Sequence, residues 1–221
     1  MLEIARKRRR YGYRRIYQVL RKKQVVNHKR VYRVYGELGL KYRRKSRKKR
    51  HQGEGKPLIT PILPNERWSM DFVSDSMYNG RRFRVFNLLD DCSRESVVQH
   101  PDFSITGMKL VRIFEELKRE RKLPKQLVCD NGTEFTSKAF RKWADENNVE
   151  IHYIEKGKPT QNAFVESFNG KFRDECLNEE WFTSIAQARS IIEAWRIDYN
   201  NERPHNGLNG LSPYEFIART A

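Results

Sequence analysis

Cysteine is nearly absent from this sequence. Its 221 residues hold three, Cys92, Cys129 and Cys176, with no CxxC pair and no Cys/His cluster at zinc-finger spacing. That excludes a disulfide scaffold and a structural zinc module, and it reads as reduced thiols in a cytoplasmic protein. Long apolar runs are missing too. None approaches the roughly 18 residues of a membrane span, and no signal-like segment opens the chain, so no membrane partner is expected. Acidic residues are missing from one region only. Residues 1–50 hold 21 Lys and Arg against two acids, Glu3 and Glu37, a net +19, which leaves 24 bases against 26 acids, a net −2, for the remainder. Such asymmetry reads as a nucleic-acid-binding segment attached to a near-neutral domain.

Within the basic segment, Tyr13, Ile16, Tyr17 and Leu20 repeat with the period of an amphipathic helix. Val31, Val34, Tyr35 and Leu38 repeat it after a candidate cap at Asn27, and Gly39 closes the second helix. The pair predicts a helix-turn-helix-like unit presenting His28, Lys29, Arg30 and Arg33 to DNA. Leu2–Arg10 shows no clear pattern, so no first helix is expected before the pair. The expected organisation is a basic DNA-binding segment over 1–50, a linker over 51–64 rich in Gly and Pro, and a catalytic domain over 65–221.

From Asn65 onward the texture is that of an α/β domain. Strands are predicted at Trp68–Val73, Arg82–Leu89, Glu95–Gln99, Gln126–Cys129 and Val149–Ile154, with a turn at Asn79-Gly80. Helices are predicted over 106–121, 137–147, 161–176 and 185–200, the last opened by Ser184-x-x-Gln187. Three hairpin strands followed by β-α-β alternation predict a mixed five-stranded sheet flanked by helices.

Three acids stand out by position. Asp71 lies toward the end of the first strand, Asp130 follows the fourth, and Glu166 sits on a helix with 35 residues between it and Asp130. If the fourth strand runs parallel beside the first, the two aspartates emerge together. On the helix, Asn162, Asn169, Gly170 and Arg173 share the face of Glu166, while Phe164, Phe168 and Phe172 form the opposite stripe. Converging carboxylates repel one another, and an oxygen-only set selects Mg²⁺ or Mn²⁺. Two such ions would clamp a phosphodiester. Singly, each acid has a plain structural explanation; the order and spacing point to a site.

These stretches resemble an OrfB-type insertion-sequence transposase of the retroviral-integrase-like superfamily. The resemblance is carried by Trp68-Ser69-Met70-Asp71-Phe72, by Leu89-Asp90-Asp91-Cys92-Ser93-Arg94 and by Cys129-Asp130-Asn131-Gly132-Thr133-Glu134-Phe135. Pro159 through Glu175, and Tyr199-Asn200 with Arg203-Pro204-His205, complete it. It implies an RNase H-like fold, with Asp71, Asp130 and Glu166 as catalytic metal ligands and a base, here Arg173, seven residues after the glutamate. It also implies magnesium-dependent 3′-end processing and strand transfer on element ends and target DNA, by a homo-oligomer in the bacterial cytoplasm at the nucleoid. A product of an upstream reading frame is an expected partner. The zinc module of retroviral integrases and a coiled-coil heptad run are absent. Arg173, Asn162, Lys156 and Lys158 are further expected DNA contacts beside the site. Asn131 and Glu134 are expected either to orient Asp130 or, as the favoured reading, to cap the next helix, and Arg203-Pro204-His205 and Asp90-Asp91 to build turns. Two competing readings are a DNA-binding regulator without catalysis and a structure-selective nuclease of the same fold.

Overall fold

A computed structural model describes residues 1–41, 60–155 and 159–220. Most of the expected linker, and both Lys156 and Lys158, lie outside the described residues.

The chain opens with three short helices, α1 (Leu2–Lys7), α2 (Tyr13–Arg21) and α3 (His28–Glu37). α1 corrects the expectation that no first helix precedes the pair. The three close on their own small core, in which Tyr11, Ile16, Val31 and Tyr35 are buried. Asn27 caps α3, its side chain accepting from the N–H of Lys29. Leu38, placed on the apolar stripe by periodicity, instead ends the helix exposed, and Leu40 packs against this small core.

The larger part is a single five-stranded sheet. Strands β1 (Arg67–Ser76), β2 (Arg82–Asp90) and β3 (Ser96–Asp102) form an antiparallel meander. The first hairpin turns at Asn79-Gly80, where Gly80 has φ +82°, a conformation free of strain only for glycine. β4 (Gln126–Cys129) and β5 (Glu150–Tyr153) then run parallel to β1 on its other side, giving the order β3-β2-β1-β4-β5.

Alternation along β1 sends Trp68 and Met70 to one face and Asp71 and Val73 to the other. The first face packs with Phe86 and Leu88 against Leu110 and Phe114 of α4 (Gly107–Glu120) and Phe140 and Trp143 of α5 (Lys138–Glu146). The second packs Val73, Val85 and Leu89 against Phe168 and Phe172 of α6 (Ala163–Glu175) and Ile192 and Tyr199 of α7 (Ile185–Asn201). Burying each such side chain contributes roughly 2 kcal/mol, which fixes the order helix–sheet–helix. The predicted box at Ser184 forms in altered register: Ser184 accepts from the N–H of Gln187, and Gln187 accepts from that of Thr183.

A final helix, α8 (Pro213–Thr220), was not anticipated. It opens with a reciprocal box, Glu215 N–H donating to Ser212 Oγ and Ser212 N–H donating to Glu215 Oε2. Among the described residues no helix is long and apolar enough to cross a membrane.

Candidate active site

Asp71 does not end β1, which continues to Ser76; it stands where β4 stops pairing. Ser69 pairs with Val128 in the parallel register, so extending the register by two residues sets Asp71 level with Asp130. The two backbones are then about one strand spacing, some 5 Å, apart. The expected parallel pairing of the fourth strand beside the first is what the sheet shows.

Each aspartate is held by its local chain. Asp71 accepts from the N–H of Phe72 and, at 2.8 Å, from the amide of Asn169 on α6. Asp130 accepts from the N–H of Gly132 at 2.9 Å. A Cβ on Gly132 would lie 3.0 Å from that same oxygen, close enough that a side chain there would push the carboxylate aside. Phe135 is buried and stacks on Phe72 at 5.0 Å, tying the Asp130 loop to the residue after Asp71. Asn131 donates to the carbonyl of Ile154. Glu134 does not cap α5 as expected. It bridges to Arg84 at 2.5 Å, and Ser137 is the cap.

Glu166 is exposed near the start of α6, and Glu166, Asn169, Gly170 and Arg173 line one groove with Asp71 and Ser74, about 300 Å³ in volume. Arg173 reaches across it to donate to the carbonyl of Ser74 at 2.7 Å. Asn162 departs from its expected place. It is buried, and its Nδ2 faces the carbonyl of Met70, so it pins the start of α6 to β1 and does not face the groove. Lys29, Arg30 and Arg33 are exposed on α3, with Arg33 beside Glu37 at 3.5 Å.

Sequence reasoning missed a buried row of amides. Gln99, Asn87 and Asp71 are in register on three neighbouring strands. Gln99 donates to Asn87 Oδ1 at 3.1 Å, Asn87 donates to Asn169 Oδ1 at 2.7 Å, and Asn169 donates to Asp71. The signal was present as polar residues at inward positions of two strands, but only the register reveals that they meet.

Burial pushes the Asp71 carboxyl up to about 6, and the charges of Asp130 and Glu166 push the same way against the N–H of Phe72 and the Asn169 amide. Burial also raises Glu166. Among the described residues no base forms an ion pair with Asp71, Asp130 or Glu166, and no three acidic, His or Cys side chains close into a finished cage. In chemistry, though, the set suits a hard divalent cation: it offers carboxylate oxygens only, and Asp71 is repelled by the other two acids.

Other polar clusters are structural. Asp90 accepts from the N–H groups of Asn65, Cys92 and Ser93 and from the Trp68 indole, and Asp91 bridges to Arg67 at 2.6 Å. His205 is buried against Tyr199, with ring centroids 4.7 Å apart, and far from titrating: burial, then Arg203 and Lys171, push it down to about 2.

Residues 63–159 and 147–213 match the integrase core domain family, and residues 1–50 match the HTH-like domain family. The chain is 48% identical over 220 residues to the insertion element IS407 uncharacterized 31.7 kDa protein of Burkholderia multivorans, covering 99% of this chain and 79% of that one. It is 28% identical to the putative transposase InsK of insertion sequence element IS150 of Escherichia coli, over 96% of this chain and 79% of that one. In fold it resembles the HTLV-2 integrase catalytic core domain, with a TM-score of 0.54 at 18% identity over 70% of this chain and 97% of that one.

Proposed function

Because the chain belongs to the integrase-core transposases of bacterial insertion elements, we propose that it cuts the 3′ ends of its element's DNA and joins them to a target. The observation that supports this most is that Asp71 feels the charges of both Asp130 and Glu166, with no base paired to any of the three among the described residues. In this reading those three are the catalytic carboxylates and would hold Mg²⁺ or Mn²⁺, two ions in the full site. When bound, such ions supply Lewis acidity to the phosphodiester and acidify the attacking water or hydroxyl. The HTLV-2 core of similar fold is described in complex with magnesium and in a trimeric form, which supports a divalent ion and a multimer here.

The protein's own groups have separable tasks. Phe72 N–H and Asn169 hold Asp71 in one orientation, and the Gly132 turn does so for Asp130. Arg173 lines the groove and is proposed to contact a phosphate next to the scissile bond. Lys156 and Lys158 precede α6 in sequence and are proposed to contact the same strand. Lys29, Arg30 and Arg33 on α3 are proposed to hold duplex DNA through its phosphates, making that binding strongly salt-dependent. The boundaries at residues 50 and 64 are proposed to separate this binding unit from the catalytic domain. The protein would act on DNA in the bacterial cytoplasm, at the nucleoid.

The test is a strand-transfer assay on labelled element ends with Mg²⁺. Wild-type protein yields cleaved and joined products, and Asp130→Asn yields neither while still shifting the same DNA in a gel with EDTA. Full cleavage by Asp130→Asn would refute the assignment, and cleavage without joining would leave only a nuclease.

A further inference from the structure

The three N-terminal helices do not hang free on their basic charge. Arg8 pairs with Asp198 on α7, and Arg10 with Glu179 at 2.6 Å and Asp174 at 3.7 Å. Lys22 pairs with Glu215 on α8 at 2.6 Å. Arg15 pairs with Glu175, the last residue of α6, at 2.7 Å. The apolar core of the unit contains only its own residues, so it is seated on the catalytic domain chiefly through charge.

Glu175 differs from the other acids in this seat. Its side chain is 8% exposed, and it takes a second, two-point bond from Arg203, whose Nε and Nη2 each donate at 2.7 Å. One carboxylate thus joins the N-terminal unit, the Arg203 turn and the helix that bears Glu166. Two guanidinium groups at a helix C-terminus also suit the negative end of its dipole. Glu166 and Glu175 are nine residues apart, about 13 Å along one rigid helix. That helix is also fixed to β1 by Asn162 just before it, Asn169 in its middle and Arg173 in its last turn. The C-terminal end of α6 is thus held in part by a residue of the N-terminal unit.

We propose that Arg15 is a positioning residue: through Glu175 it couples the docked state of the N-terminal unit to the placement of Glu166 in the metal-binding groove. This rests on the carboxylate reading given above for the role of Glu166, but the mechanical coupling does not. Lys22 supplies the control, since it docks the same unit through α8 and touches no part of α6.

Full-length wild type, Arg15→Ala, Arg15→Lys and Lys22→Ala are compared in two ways. Amide hydrogen exchange without metal reads the helix itself. Arg15→Ala should speed exchange across 169–176 by about fivefold or more, with Arg15→Lys and Lys22→Ala within about twofold of wild type. Titration with Mn²⁺ alone reads the groove. Arg15→Ala should weaken Mn²⁺ binding by about fivefold, and Arg15→Lys should recover most of it, as a charge restored to the same carboxylate would. Unchanged exchange in Arg15→Ala overturns the proposal. So does an equal change in Lys22→Ala, which would mean that general undocking and not the Glu175 link is being read. If Arg15→Ala fails to fold, Arg15→Gln takes its place under the same criteria. Asp130→Asn separates the two readings: if it binds Mn²⁺ as wild type does, the metal-site assignment fails, and the exchange result still decides the coupling.

Discussion

Helix α6 carries acids at both ends, and the two ends treat them in opposite ways. Near its start Glu166 lines a groove with Asp71, which feels the charges of both Glu166 and Asp130, and among the described residues no base pairs with any of the three. At its far end Glu175 is gripped by Arg15 and Arg203, and the nearby Asp198, Glu179 and Glu215 each have a basic partner from the N-terminal unit. Compensated acids build the structure. Uncompensated ones oppose it, and they make physical sense where something cationic is to be bound. The same residue type on one helix is thus divided between architecture and chemistry by its neighbours alone.

The sharpest way to test that division is to neutralise one acid at each end. Asp130→Asn should reduce cleavage by about a thousandfold, on the order of 4 kcal/mol of transition-state stabilisation, with the melting temperature unchanged or raised. Gel-resolved cleavage and calorimetry on the same preparation would measure both. Glu175→Gln should do the reverse. Buried Arg203 and half-buried Arg15 lose their counter-charge, and unfolding free energy should fall by about 3 kcal/mol in urea titrations. A stable Glu175→Gln or an unfolded Asp130→Asn would erase the contrast between the ends.

Much of this contrast could be read in the chain, and part could not. The strand alternation around Asp71, the short apolar strand before Asp130 and the phenylalanine stripe behind Glu166 are local patterns, and each survives folding. So does the spacing that brings the acids together, because parallel pairing of β1 and β4 follows from the order of elements. The helix α8 was legible in principle through Ser212-Pro213-x-Glu215. What stayed hidden was partnership. Arg8, Arg10, Arg15 and Lys22 share a charge run with Lys29 and Arg30, and sign alone does not distinguish a base facing Glu175 from one facing solvent. Asn162 was placed on the Glu166 face by helical rotation. It lies before α6, in the tight turn Pro159–Asn162, where that rotation does not apply. Asn87 and Gln99 meet only through cross-strand register.

Acid titration sets the two ends against each other a second time. Asp71 is raised in the fold, from 3.8 to about 6, so the native state holds its proton more tightly than the unfolded chain does. Its contribution is fully present below about pH 4 and is lost as pH rises through 6. His205 is depressed, from 6.5 to about 2, so the unfolded chain takes up its proton first. Its contribution is present above 6.5 and is lost as pH falls, by up to about 1.4 kcal/mol per unit. Between pH 6 and 4 the two slopes oppose each other. Chemical denaturation across that window should show Asp71→Asn losing stability more steeply on acidification than wild type, and His205→Gln less steeply. Parallel curves for all three would mean that neither group is buried as described.

The smallest effect expected tests how far burial, and not charge, makes an acid structural. Lys22 and Glu215 form an open contact of the docking seat, with side chains 34% and 38% exposed, against 3% and 8% for Arg203 and Glu175. Water competes for the open pair and salt screens it, so Lys22→Ala should change unfolding free energy by no more than about 0.5 kcal/mol. In about 1 M salt the difference should vanish, because the screening length there, about 3 Å, is close to the length of the contact itself. The loss in Glu175→Gln should persist under the same conditions, since Glu175 and its partner Arg203 are held away from solvent ions. If the Lys22 and Glu175 variants respond alike to salt, the seat is one electrostatic surface without a buried node, and the distinction between Glu175 and its neighbours falls with it.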